Sequence, residues 1–201
     1  MKTNAITITR QFGSLGRLIA KRVADKLGYE YYDREIIEKA AEEMGEPVYN
    51  LSEYDGHSYT KYGKMMFPLG YGVKNKQKKL FEIEKQVILS LASEKNCVIV
   101  GRCSDYILAE SNRVNHYSVF IYAPYEARFN YCLKELGLTP EGAEVYIEKV
   151  DSARKIFYHE HTGENFESLT YRNTMVDSSF MNQDKVADLI CEGARLKFSE
   201  E

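Results

Sequence analysis

The residues best suited to chemistry are arginines placed beside glycines. Gln11-Phe12-Gly13-Ser14-Leu15-Gly16-Arg17 sets two glycines and a serine immediately before a fixed cation. Val100-Gly101-Arg102-Cys103-Ser104-Asp105 repeats the glycine–arginine pair at the end of an apolar run, and Asp33-Arg34, Arg128, Asp151, Arg154 and Asp177 supply further charge. Peptide N–H groups in a glycine turn, a helix N-terminus and guanidinium forks all attract oxyanions, so the chemistry to expect is the holding of phosphate. His159 and His161 stand two apart, on different faces of any helix, and no metal site is read from them.

Each candidate must be positioned by an element. Ile6-Thr7-Ile8-Thr9 is β-prone and leads through Gly13 and Gly16 into an apolar stripe of Leu18, Ile19, Val23, Ala24 and Leu27, which predicts strand, turn and helix. Against the phosphate-loop template G-x-x-x-x-G-K-[ST], Gly16 matches, while Gln11, Arg17 and Leu18 replace the first glycine, the lysine and the hydroxyl. Arg17 still brings a cation, whereas Leu18 cannot ligate a metal. The alternative leaves this turn purely structural, with glycine serving positive φ.

Farther along, Gly28 ends the first helix, Tyr29 to Tyr32 forms a short strand, and Asp33 caps a helix over Arg34 to Met44 or faces an entering second substrate. Residues 45–74 are rich in glycine and tyrosine and suit a lid or a partner surface. A helix is expected over Lys76 to Ser93, opening on the basic cluster Lys74 to Lys79, and Cys97 to Val100 reads as a central parallel strand. An arginine at its end is costly unless neutralised, either by Asp105 or by a ligand phosphate. Tyr117 to Tyr122 is another strand. Thr139 and Pro140 open a helix on which Asp151, Arg154, Tyr158 and His161 share one face, as a solvated flank or as the basic face of a lid. A β-prone run over Leu169 to Val176 and a helix over Asn182 to Phe198 complete an α/β pattern, a mostly parallel sheet covered on both faces.

Composition limits what such a domain does. The 201 residues carry 44% hydrophobic and 28% charged side chains, enough for one domain with a good core. The net charge of -3 argues against nucleic acid as the main partner, though a local cationic pocket is compatible with it. Four cysteines without C-x-x-C spacing read as reduced thiols, and the absence of a leader or of a long apolar run makes a cytoplasmic protein without membrane contact the expectation.

The ordered set Ile-Thr-Ile-Thr-Arg-Gln-Phe-Gly-Ser-Leu-Gly-Arg, Tyr-Tyr-Asp-Arg-Glu-Ile-Ile, Val-Ile-Val-Gly-Arg-Cys-Ser-Asp-Tyr-Ile-Leu, the Asp151/Arg154 helix and the closing Asp-Ser-Ser resembles the cytidylate kinase-like family of P-loop proteins. The likeness covers nearly the whole chain outside residues 45–74. It implies a three-layer P-loop NTPase-like fold, in one domain over 1–201, with a lid over 139–168, and 45–74 is expected to be a mobile or partner-binding insertion. It further implies that Gly13, Ser14, Gly16 and Arg17 hold ATP phosphates and that Arg17, Arg102 and Arg154 stabilise the transferring group. Asp33, Arg34, Gly101, Arg102, Asp105, Arg128 and Asp177 would bind a nucleotide acceptor such as CMP or dCMP. Compared with cytidylate kinases proper, Arg17 replaces a lysine, Leu18 a hydroxyl and Val100 an acidic residue, so ligands for Mg²⁺ are not identifiable in the sequence. Two functions are therefore expected in competition, an ATP-dependent nucleotide kinase and a catalytically silent nucleotide- or phosphate-binding module working through 45–74, with a structural protein lacking any ligand as the third. A homodimer through the tyrosine-rich segment is a further expectation.

Overall fold

A strand buried on both faces needs apolar or small residues at every position, and Asn4-Ala-Ile-Thr-Ile-Thr-Arg10 provides them with two buried threonines to spare. A computed structural model of the chain describes residues 3–33, 42 and 74–199. In it β1 (Asn4–Arg10) is the middle strand of a five-stranded sheet, joined in chain order by α1 (Gly16–Leu27), β2 (Glu30–Tyr32), α2 (Lys74–Glu94), β3 (Cys97–Val100), α3 (Ser104–Ser111), β4 (Asn115–Tyr122), α4 (Tyr125–Lys134), α5 (Pro140–Thr162), β5 (Thr174–Asp177) and α6 (Gln183–Ser199). The strand order is β2-β3-β1-β4-β5 and every pairing is parallel. Ile8 stands opposite both Val100 and Val119; β3 ends there, while β1 and β4 run on together to Arg10 and Tyr122.

The alternation of side chains sorts the core into two layers. Ile6, Ile8, Val98, Val100, Val119 and Ile121 pack against Ile19 and Val23 of α1 and Ile190 of α6. Ala5, Ile99 and Phe120 face the other way, onto Ile88 of α2, Ile107 of α3 and Tyr158 of α5. Each buried Val, Ile or Phe among them contributes about 1.5–3 kcal/mol by leaving water. Thr7 lies on the second face, where its hydroxyl donates to Ser118 Oγ at 2.9 Å, which removes the cost of burying it. A smaller cluster joins Phe12 to Cys132 of α4 and to Ala143, Ile147 and Val150 of α5. The glycine turn is thereby wedged against α5.

Several sequence expectations change. Leu18 is exposed (45%), because one residue before Ile19 it is turned about 100° off the buried stripe. The β-prone run at 169–176 yields strand only over Thr174–Asp177, since residues 165–172 are taken up in turns closed by Ser168 N–H to Asn165 and Arg172 N–H to Leu169. The α5 face carrying Asp151, Tyr158 and Arg154 is not a solvated flank. Asp151 and Tyr158 are buried, Arg154 has a side chain only 15% exposed, and His161 stacks on Phe81 at 3.9 Å. The helix expected over Arg34 to Met44 and the 45–74 segment fall, apart from Glu42 and Lys74, outside the described residues, as does Arg34.

Candidate anion site at the strand ends

The C-terminal edge of a parallel sheet is where loops converge and where ligands of such folds bind. Here the turn after β1 departs from Gln11, whose N–H donates to Ile121 O at 3.0 Å, and reaches α1 through Gly13 (φ 76°) and Leu15 (φ 61°). Gly13 is required twice over: its φ is left-handed, and a Cβ there would lie 3.0 Å from Arg128 Cβ. Ser14 is buried, its hydroxyl donating inward to Gln11 O (2.9 Å) and Ile121 O (3.1 Å), so it fixes the turn and offers a ligand only its backbone. Ser178, just past β5, donates to Ser14 O at 2.7 Å and ties the last strand to the same turn. Among the described residues no acceptor takes the N–H groups of Gly13, Ser14, Leu15, Gly16 or Arg17. Five amides at a helix N-terminus, with no side-chain cap, form a nest for an anion.

Guanidinium groups ring this nest. Asp151, reaching from α5, accepts Phe12 N–H at 2.7 Å and Arg128 Nη1 at 2.5 Å, while Arg128 Nη1 also donates to Phe12 O at 3.1 Å. Arg154 lies 3.9 Å from Asp151 and donates to Arg10 O at 3.0 Å. Burial, opposed by Asp151 and aided by Arg128, pulls the Arg154 pKa down to about 10. Arg17 bonds Asp33 through Nε at 2.9 Å and through Nη2. Burial works against its charge, and the Asp33 bond and charge outweigh that, raising its pKa. Arg10 is held well below the ordinary guanidinium value, first by burial and then by the charge of Arg154. Four guanidiniums, of Arg10, Arg17, Arg128 and Arg154, thus share two described carboxylates, Asp33 and Asp151.

Gly13, Ser14, Gly16, Arg17, Asp33, Arg128 and Arg154 therefore come together, with Asp177 adjoining through its neighbour Ser178. Asp177 itself accepts from Ser179 N–H (2.8 Å) and Oγ (2.7 Å). Arg102 and Asp105 do not join them, nor do they pair with each other. Arg102 is buried against Glu84 of α2 and lies 4.4 Å from the Phe157 ring centroid, so neither of the neutralising groups expected from the sequence is the one found. Asp105 is buried with Arg172, Tyr158 Oη (3.2 Å) and Thr9 Oγ1 (3.3 Å), which anchors the segment after α5 to the sheet. Burial, followed by the Arg102 charge, lowers the neighbouring His161 to about 4, so it is neutral at pH 7.

Sequence patterns alone do not single out Arg10, Glu84 or Arg172. Arg10 ends a buried strand just as Arg102 does, and Glu84 interrupts the apolar positions Phe81, Val87 and Ile88; both signals were present. Arg172 sits in a loop and carries no local signal.

The positions that would supply a hydroxyl and a carboxylate are Leu18 and Val100, and among the described residues no three His, Cys, Asp or Glu side chains gather as metal ligands.

A parallel sheet in this order, with an amide nest after its central strand, defines the class of P-loop kinase folds. A family profile then supplies the narrower assignment: the chain belongs to the cytidylate kinase-like family, which matches residues 5–180. No curated protein matches it. Among solved structures it is similar to an uncharacterized protein from Eubacterium ventriosum ATCC 27560 (TM-score 0.73, 20% identity, 96% of this chain and 99% of that one). A gluconokinase from Sinorhizobium meliloti 1021 (0.57, 14%, 98% and 94%) and a shikimate kinase from Acinetobacter baumannii in complex with shikimate (0.50, 16%, 99% and 95%) also align. At these identities the likeness is one of fold.

Proposed function

We propose that the protein transfers a phosphoryl group from ATP to a nucleoside monophosphate, CMP or dCMP. The observation that carries this is the nest of five amides that find no acceptor among the described residues, ringed by four guanidiniums against two described carboxylates. An anion of high charge density, such as a polyphosphate, suits that imbalance. Membership in the cytidylate kinase-like family supports the choice of a nucleotide acceptor.

In this proposal the amides of Gly13 to Arg17 hold the donor's terminal phosphates, and Arg17 and Arg154 approach from opposite sides. An acceptor phosphate oxygen attacks the γ-phosphorus in line; the bond to the β,γ-bridging oxygen breaks, and ADP leaves with that electron pair. Charge accumulates on the non-bridging and leaving oxygens, where fixed guanidiniums and amides stabilise it without reorganising. Asp33, Gly101 and Asp177, at the ends of β2, β3 and β5, border the acceptor side, and α5 with the residues after it, 139–168, serves as the lid. The test is ADP release with CMP, dCMP, UMP or no acceptor. Turnover that requires CMP or dCMP supports the proposal, and no turnover with any acceptor removes it. The replacement of hydroxyl and carboxylate by Leu18 and Val100 favours the second reading, a nucleotide-binding module without catalysis, which would show as ATP binding with no ADP release.

A further inference from the structure

We infer that Arg10 is the side chain that grips a ligand phosphate at the Gly101 corner of the site, the place that sequence logic gives to Arg102. The ligand's identity as a nucleotide rests on the kinase proposal above; its character as a phosphate oxyanion rests on the geometry alone.

Two glycines from separate segments make room for this one side chain. A Cβ at Gly16 would lie 2.5 Å from Arg10 Cβ and 2.9 Å from its Cγ, and a Cβ at Gly101 would collide with Arg10 Nη1 and sit 3.4 Å from Cζ. The stem of Arg10 therefore crosses the start of α1, and its guanidinium ends at Gly101, in the turn that follows β3. The path joins the amide nest to the second glycine motif. At that corner Gly101, Arg102 and Cys103 are successively left-handed (φ 77°, 59° and 54°), and among the described residues nothing accepts the Arg102 and Cys103 N–H groups. Non-glycine residues held in that conformation carry strain, which is typical of ligand sites.

Charge accounts for the rest. Among the described residues no carboxylate forms an ion pair or hydrogen bond with Arg10; Asp33 attracts it only from beyond contact, while Arg154 and Arg17 add repulsion. Arg154 donates to the Arg10 carbonyl and so fixes the backbone from which the side chain springs. Arg102 is unavailable, being paired with Glu84 in the core with a side chain only 6% exposed. A guanidinium with no described carboxylate in contact, in a partly buried place, gains from the arrival of an anion, and a planar fork suits two phosphate oxygens.

Isothermal titration of the full chain with ATP, with CMP and with pyrophosphate, comparing wild type with Arg10→Gln and Arg10→Lys, tests this. Arg10→Gln should weaken at least one of these probes by about 10- to 100-fold, and Arg10→Lys should recover part of the loss by charge alone. A response with ATP but not CMP assigns the donor phosphates; the reverse assigns the acceptor. Unchanged affinity in Arg10→Gln, or a wild type that binds none of the probes, overturns the inference. Arg10-dependent pyrophosphate or ATP binding without any transfer to CMP leaves it standing while the kinase proposal falls. Should Arg10→Gln fail to fold, the Arg10 ¹⁵Nε–H resonance of the wild type, assigned through Arg10→Lys, must shift on saturation with ATP or CMP; an unmoved resonance overturns the inference.

Discussion

Asp151→Asn probes the joint between α5 and the glycine turn. The carboxylate accepts Phe12 N–H at 2.7 Å and Arg128 Nη1 at 2.5 Å, and Arg154 lies 3.9 Å away, all with side chains at most 15% exposed. Asparagine keeps one oxygen for the Phe12 amide and has nearly the same shape. It removes the charge, leaving Arg128 and Arg154 desolvated against each other. Losing one member of a buried ion pair costs about 3–5 kcal/mol, and the retained amide acceptor places this variant near the lower end, about 3 kcal/mol. For a chain of this size that corresponds to a fall in Tm of about 6–12 °C. Urea unfolding of wild type, Asp151→Asn, Arg128→Met and the double variant gives both the loss and its coupling. The double variant should be less destabilised than the sum of the singles by about 1–3 kcal/mol. A single-variant loss below about 0.5 kcal/mol, or full additivity, would refute the claim that Asp151 neutralises the guanidiniums holding the turn.

Three further outcomes follow from the same geometry. Gly16→Ala should lose stability, by about 1–3 kcal/mol, although alanine is the better helix former: Cβ atoms 2.5 Å apart are fixed to the backbone and no rotamer separates them; a thermal melt decides the sign. His161 takes its proton at about 4 in the native state and at the ordinary value near 6.5 when unfolded. The unfolded state therefore binds the proton first, and native stability should be constant above pH 6.5 and fall by about 1–2 kcal/mol between pH 6.5 and 4, the partly exposed ring keeping the figure modest; His161→Phe should flatten that slope in urea titrations. Cys97 and Cys103 have thiols pushed up to about 12 by burial and Cys132 to about 11, and all four cysteines are buried, so Ellman's reagent should titrate them only as fast as the protein opens; rapid native reaction would show a thiol accessible in the native state.

What could be seen in the sequence was whatever depends on near neighbours. β1, β3 and β4 announce themselves as apolar runs, α1 as a period ending at Gly28, and α5 by the Thr139 cap, whose oxygen does accept Gly142 N–H at 3.1 Å. Gly13 and Gly16 were visible as a turn because glycine has few other uses between a strand and a helix. What could not be seen was partnership at a distance. Asp151 meets Phe12 across 139 positions, and Arg172 meets Asp105 from a loop of no periodicity. Arg102 reads as available in the sequence because Glu84 lies on α2, 18 positions earlier, and only packing brings the two together. Arg10 is hidden in the sequence for the converse reason: its place depends on Gly16 and Gly101 at once, and only the folded sheet sets both glycines against it.

The most direct measurement is a crystal structure of the full chain grown with a non-hydrolysable ATP analogue and CMP. The account predicts terminal phosphate oxygens within hydrogen-bond distance of the Gly13 to Arg17 amides, Arg17 and Arg154 closing on them, and the CMP phosphate at the ends of β2 and β3. A nucleotide bound elsewhere on the molecule, or a turn whose amides remain empty at saturating analogue, would contradict it.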